Sequence, residues 1–277
     1  MQKYELNNGS KVPALGFGTF KAAGEEVYEA VKEAIRLDYR HIDTASYYHN
    51  EKEVGQAIKD SGVKREDIFI TSKVWRSDRG YENTLASFNR SIENLGVDYL
   101  DCLLIHWPCP ITKEDWQAEN LDTWRALETL YKEGKVKVIG VSNFRAHHLE
   151  ALLPECEIKP MMNQIELHPG FRQDETVELC QKENILLEAW EPLAKGAILN
   201  DERLLKIAQN HQKSVAQVCI RWSLDNGFLP LPKSVTFSRI KENMEVFDFS
   251  LTREEVDLIN SFEYIGGSRI DPDKVGC

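Results

Sequence analysis

No stretch of this sequence approaches the roughly 18 consecutive apolar residues that a membrane-crossing helix needs. The amino terminus, MQKYELNNGSKVP, also lacks the apolar core of an export signal. A cytoplasmic protein without a membrane partner is the expectation. The six cysteines, at 102, 109, 156, 180, 219 and 277, form no CxxC pair. A chain this long has room for a large core, so it needs no disulfide staples, and free, mostly structural thiols follow. Positive charge is in short supply: 34 Lys and Arg face 45 Asp and Glu, a formal charge of -11. Nucleic acid and anionic lipid require concentrated basic surface, so neither is an expected partner. The dinucleotide-binding glycine pattern is broken as well, because Lys21 stands where a third glycine should follow Gly16 and Gly18. No His/His/Asp ligand set occurs at the strand ends, which argues against a metal-dependent barrel hydrolase. His147 and His148 are adjacent rather than spaced i, i+4, so no metal is expected there either. The Asn-Arg-Ser glycosylation match at 89–91 falls inside a helical pattern of a cytosolic chain and is set aside.

What the chain does contain is a regular alternation. Asn8-Gly9 between YELN and KVP predicts a hairpin with a two-residue turn, since both residue types tolerate positive φ. Eight strand-like runs follow, at 14–18, 40–43, 68–73, 101–106, 136–141, 161–166, 185–189 and 228–231. Helical patterns lie between them, at 25–37, 51–60, 82–95, 121–133, 145–153 and 172–183. In the first, Val27, Ala30, Val31, Ala34 and Ile35 make one apolar stripe. A longer helical region, 201–225, precedes the last strand, with shorter ones at 239–246 and 252–262. No linker divides the chain. The pattern predicts an α/β protein, a single (β/α)8 TIM barrel over residues 1–277 with an N-terminal β-hairpin and extra helices.

Polar chemistry recurs at the ends of these strands. Asp43, Tyr48, Lys73 and His106 fall at or just beyond HIDTA, IFITSK and LLIH, about one strand plus one helix apart. In a parallel barrel the strand C-termini converge on one face, so the four can share a pocket. A phenol, an ammonium, a carboxylate and an imidazole together suggest proton transfer. Taken singly, each has an ordinary structural explanation: a buried aromatic, a surface charge, a turn residue, a packed histidine.

The motifs LGFGTF (15–20), YRHIDTASYYHNE (39–51), TSKVW (71–75), LLIHWP (103–108), IGVSNF (139–144), NQIELHP (163–169) and LPKS (231–234) with RIKEN (239–243) resemble those of the aldo-keto reductases over nearly the whole chain. The short polar tail and its RIDPD run are similar to the prokaryotic-type branch that includes diketogluconate and methylglyoxal reductases. The resemblance implies an NADPH-dependent oxidoreductase that reduces small aldehydes, ketones or keto-sugars. In such an enzyme Tyr48 donates a proton to the carbonyl oxygen, and a phenol of pKa near ~10 must be made easier to ionise. Lys73 has the sign to do so, Asp43 would keep Lys73 charged and oriented, and His106 would direct the substrate oxygen. By the same resemblance Ser142, Asn143 and Gln164 hold the nicotinamide carboxamide, Trp190 stacks on the ring, and Leu193 lies along the cofactor. Lys233, Ser234 and Arg239 would grip the 2′-phosphate that distinguishes NADPH from NADH, with Glu242 and Asn243 near the adenine. Phe20, Trp75 and Trp107 would wall the carbonyl pocket. Glu191 departs from the family, which commonly has serine there; a carboxylate beside phosphates must point away or be paired, with Lys195 as the candidate. A monomer is expected. The alternative is a non-catalytic nicotinamide-binding sensor or structural subunit, which the full acid-base set argues against.

Overall fold

The structure, a computed structural model, describes residues 2–275, so Gly276 and Cys277 lie outside the described residues. Strands β1 (Lys3–Glu5) and β2 (Lys11–Pro13) pair antiparallel, with Glu5 opposite Lys11. Their connection differs from the predicted two-residue turn. The Leu6 N–H donates to Ser10 O at 2.8 Å and the Gly9 N–H to Leu6 O at 2.9 Å. Within the Asn8-Gly9 pair only Gly9 takes a positive φ, 81°. The loop is therefore three residues, with its left-handed position on the residue that has no Cβ to clash.

Eight strands follow: β3 (Phe17–Gly18), β4 (His41–Asp43), β5 (Phe69–Val74), β6 (Leu100–Ile105), β7 (Val136–Ser142), β8 (Met162–Glu166), β9 (Leu186–Trp190) and β10 (Leu229–Pro230). Each pairs parallel with the next in chain order. Two backbone bonds join the last strand region to the first: the Gly16 N–H to Pro230 O at 3.1 Å and the Gly18 N–H to Pro232 O at 3.2 Å. The seam needs a bare backbone. A Cβ on Gly16 would sit 2.8 Å from His41 Nδ1. Every residue of β5 and β6 is buried, as expected for a parallel sheet covered on one face by helices and on the other by barrel interior.

The helices α1 (Gly24–Arg36), α2 (Glu51–Asp60), α3 (Tyr81–Leu95), α4 (Trp116–Lys132), α5 (Ala146–Leu152) and α6 (Asp174–Lys182) form the crossovers. The buried residues of α1 are Val27, Ala30, Val31, Ala34 and Ile35, the predicted stripe. The predicted 201–225 region is two helices, α7 (Glu202–His211) and α8 (Val215–Asp225). Gln212 ends the first in a left-handed conformation, φ 54°. Ser214 then restarts the chain with a capping box, its side chain accepting from the Gln217 N–H while Gln217 reaches back to the Ser214 N–H. Helices α9 (Phe237–Met244) and α10 (Arg253–Asn260) complete the outer layer. Trp222 on α8 is 1% exposed, and its indole N–H reaches Asn260 at the end of α10 at 2.9 Å. That bond satisfies the one polar atom of a large apolar ring, so the aromatic can be buried without an orphaned donor. The C-terminal ends of the strands are thereby gathered into one mouth.

Candidate active site

Asp43 ends β4, Lys73 is the penultimate residue of β5, and His106 follows β6 directly. Tyr48 lies in a single 3-10 turn, Ser46–Tyr48, that His49 closes with a left-handed φ of 54°. Ser46 Oγ–H donates to Lys73 O at 2.9 Å and ties this turn to β5. The Lys73 ammonium spends its three hydrogens on Asp43 Oδ1 at 2.7 Å, Thr44 O at 3.0 Å and the Tyr48 hydroxyl at 3.1 Å. Tetrahedral geometry with three acceptors leaves the ammonium no other orientation.

Burial alone would lower the Lys73 pKa, but Asp43 and Tyr48 outweigh it and the net direction is up, so Lys73 is a cation. Tyr48 corrects an expectation. Crowding by protein raises its pKa more than Lys73 lowers it, and Asp43 adds to the rise. The phenol is therefore a protonated donor at neutral pH. The adjacent cation is placed to stabilise negative charge on the phenol oxygen, should the proton leave. For His106 burial comes first, then the charges of Lys73 and Arg76, and together they hold the imidazole well below its usual range. It is neutral and carries one N–H. Its ring meets Tyr48 edge-on, centroids 5.6 Å apart, and the Asn143 amide donates to its backbone carbonyl at 2.8 Å.

A cavity of about 1150 Å³ runs across the mouth above these groups. Its lining includes the apolar Phe20, Trp75 and Trp107 with Tyr48 and His106, the polar groups of Asp43, Ser142, Asn143 and Gln164 with Trp190 and Leu193, and Lys233, Ser234, Arg239, Glu242 and Asn243. Every predicted site residue thus lines one cleft except Lys73, which is 1% exposed and sits beneath Tyr48. A small carbonyl would leave most of this space unfilled, since whole small-molecule sites span about 300–1,000 Å³. An extended dinucleotide plus a small substrate fits, and the same lining offers both cations, Lys233 and Arg239 among them, and the Tyr48 phenol. The Trp190 ring is fixed in orientation by its indole N–H, which donates to Asn143 Oδ1 at 2.9 Å.

Three features were not foreseen. Tyr47, not among the residues expected at the site, stacks on Trp75 with centroids 3.7 Å apart and lines the cleft. Glu191, left out of the site, also lines it. Its carboxylate accepts from the Ser268 hydroxyl at 2.7 Å and the Ser268 N–H at 3.1 Å, and Lys195 stands 3.5 Å away as anticipated. The C-terminal segment, expected to add little, is drawn over the mouth by these bonds and by Glu166, which accepts from the Ser268 N–H at 2.7 Å and the Arg269 N–H at 2.8 Å. Ser268, Ile270 and Val275 consequently line the cleft.

The same segment brings Asp273 to His147 and His148, whose rings lie 4.0 Å apart despite their unpromising spacing. His148 Nδ1 accepts from the Arg145 N–H at 3.2 Å, which puts the ring proton on Nε2, the atom facing Asp273 Oδ1 at 3.0 Å. A metal on Nε2 would have to displace that proton, whereas ligating histidines normally donate from the other nitrogen. The trio reads as a clasp on the tail.

The sequence profile of the aldo/keto reductase family matches residues 14–263. The chain is 53% identical to the glyoxal reductase of Bacillus subtilis over 258 residues, 93% of this chain and 91% of that protein. It is 42% identical to the methylglyoxal reductase DkgA of Yersinia pestis over 271 residues, covering 97% and 95% respectively. The crystal structure of a Gox0644 mutant in complex with NADPH superimposes with a TM-score of 0.92 at 40% identity, covering 100% of this chain and 99% of that one. The barrel, the cleft and these similarities lead to one conclusion: the chain belongs to the aldo/keto reductase family.

Proposed function

We propose that Tyr48 is the proton donor in the NADPH-dependent reduction of small aldehydes, dicarbonyls and keto-sugars by this chain. Family membership makes it an oxidoreductase of carbonyl compounds. The observation that carries the assignment of Tyr48 is the Lys73 ammonium, held by Asp43 and directed at the phenol at 3.1 Å.

When bound, the nicotinamide supplies a hydride to the carbonyl carbon. Ser142, Asn143 and Gln164 would hold its carboxamide, Trp190 and Leu193 its ring, and Lys233, Ser234 and Arg239 its 2′-phosphate, with Glu242 and Asn243 at the adenine. His106 offers its one N–H to the carbonyl oxygen and fixes its direction. Tyr48 gives its proton to that oxygen, and Lys73 stabilises the phenolate left behind. Phe20, Tyr47, Trp75 and Trp107 enclose the reacting carbon in flat apolar surface, excluding water and limiting the substrate to small molecules. The names of the relatives support an α-dicarbonyl such as glyoxal or methylglyoxal. Among the described residues no helix is long and apolar enough to cross a membrane. We place the protein in the cytoplasm as a monomer of one domain, residues 1–277.

The test follows NADPH absorbance against a panel of aldehydes, dicarbonyls and keto-sugars, with Tyr48→Phe beside the parent. Loss of the general acid should lower turnover by about 10²–10⁴-fold. Affinity for NADPH should hold, because the phenol lies at the substrate end of the cleft. Near-normal turnover would overturn the assignment. NADPH binding without turnover of any carbonyl by the parent would favour the sensor reading instead.

A further inference from the structure

Below the mouth, inside the barrel, lies a buried carboxylic acid that the steps above do not use. Glu188 is in β9, 0% exposed, among strand residues that are otherwise apolar. Its Oε2 accepts from Gln164 Nε2 at 3.0 Å, and the same nitrogen donates to Asp43 Oδ2 at 2.9 Å. A carboxamide nitrogen has two hydrogens, and both are now assigned. Gln164 therefore has a single amide orientation, in which only its Oε1 remains for the cleft. Without Glu188 one hydrogen would lose its acceptor, and the bond to Asp43 alone would hold the amide, which could then tilt away from the ligand.

We propose that Glu188, as the neutral acid, is a positioning residue: it acts through Gln164 to hold an acceptor toward the nicotinamide carboxamide and keeps the charge beneath Tyr48 balanced. The proposal rests on the reading of Gln164 as a carboxamide ligand and of Tyr48 as the acid.

The charge argument comes from the groups around Glu188. His41 of β4 has its Nε2 3.7 Å from Glu188 Oε1 and 2.9 Å from Thr71 Oγ1. Burial, then Lys73, lowers its pKa to about 3, so it is neutral. Cys102 of β6 is raised well above the usual thiol range by burial and then by Glu188, so it is neutral too. Asp43 of β4 and Lys73 of β5 are the remaining charges, and they cancel. Burial, then Asp43, raises the Glu188 acid to about 8, against the opposing effects of Gln164 and Lys73. Below that pH the cluster is neutral overall, and Lys73 acts on a developing phenolate at full strength. Above it an uncompensated negative charge appears under the site, phenolate becomes costlier, and reduction slows. Glu188 Oε1 has no hydrogen-bond partner among the described residues, so this buried polar atom is one that packing alone does not account for.

Two variants separate these functions. Glu188→Gln keeps an acceptor oxygen for Gln164 but cannot ionise. Its affinity for NADPH, read by quenching of tryptophan fluorescence, should stay within about twofold of the parent, since no hydrogen bond is lost. Its kcat/KM relative to the parent should be near one at about pH 7 and rise several-fold by about pH 9, because the Gln variant lacks the alkaline decline. Glu188→Thr is too short to reach Gln164 and should weaken NADPH by about tenfold, the equivalent of one mispositioned hydrogen bond. A Gln variant with the parent's pH profile, or a folded Thr variant with the parent's affinity, would overturn the proposal. Should the Thr variant fail to fold, the Gln profile decides alone. Tyr48→Phe, run in parallel, isolates the underlying reading: if it stays active, the acid assignment fails independently of Glu188.

Discussion

Lys73 is a charged residue held almost wholly out of solvent, 1% exposed, and that makes it an informative one to change. Its stem is packed in the barrel wall and its ammonium is shared among Asp43, Thr44 and Tyr48. Lys73→Met keeps the stem's volume but leaves Asp43 ionised in a dry site with only the Gln164 amide opposite it. Breaking a buried pair from one side costs about 3–5 kcal/mol, far more than the pair contributes against an apolar replacement. Denaturant unfolding should register a loss of that size, and turnover should fall with it. A variant as stable as the parent would show that the Lys73–Asp43 pair does not contribute to holding the fold. The raised Tyr48 pKa fits the same picture. Lys73 does not make the phenol acidic at rest; it limits how far burial can make it inert.

Among the elements, the C-terminal strap is held by side chains from the far ends of other strands rather than by its own secondary structure. Gly267 lets it pass. Its φ is 107°, and a Cβ there would collide with the side chains of His168 and Glu166. Gly267→Ala should therefore lift residues 266–270 off Glu166 and Glu191. Little core is involved, so the melting temperature should change only slightly. The affinity for NADPH should fall several-fold, and a protease should cleave the tail sooner, since local opening exposes backbone that is otherwise bonded. Unchanged affinity would show that the strap lies over the cleft without closing it. The break between α7 and α8 belongs to the same scale. Its cause, a left-handed Gln212 followed by a Ser214 cap, is local and was present in the residues, but an unbroken apolar periodicity masked it.

Taken as a whole, the molecule repels what it must bind. A net charge of -11 opposes an anionic dinucleotide at long range, and screening reduces that opposition only beyond about 8–10 Å at physiological salt. Attraction has to come from cations lining the cleft, which include Lys21, Lys195, Lys213, Lys233 and Arg239. Removing the Arg239 guanidinium should forfeit a charge-assisted bond of about 1.5–3 kcal/mol to a 2′-phosphate, or roughly 10–100-fold in affinity. Arg239→Ala should thus weaken NADPH by that factor and NADH hardly at all, as measured by titration of each; equal losses for both would remove the 2′-phosphate argument. The long-range term predicts in addition that moderate salt weakens NADPH less than a simple contact pair would suggest, because it also screens the repulsion.

Strand ends carrying Asp43, Tyr48, Lys73 and His106, and the Lys233–Asn243 motif, could be read from the residues because they are local: type and spacing are properties of a few neighbouring positions, and parallel topology does the rest. The eight strands were legible for the same reason, since β-branched runs and helical stripes repeat within windows shorter than one crossover. The strand count pointed to a closed barrel, but the bonds of Gly16 and Gly18 that join its ends were not legible, because they depend on the fit of a first strand to a last one more than two hundred positions away. Nor was the direction of the Tyr48 shift, which is a balance between desolvation by the entire surround and one nearby charge. Glu188 remained silent, and Glu191 was read only as a misfit to be paired with Lys195, because a carboxylate in an apolar strand, or beside a phosphate site, looks unfavourable until all its partners are known. Their partners, Gln164 and Ser268, come from other strands and from the tail. Hydrogen bonds and burial act through space, so pairings of this kind exist only once the chain has folded.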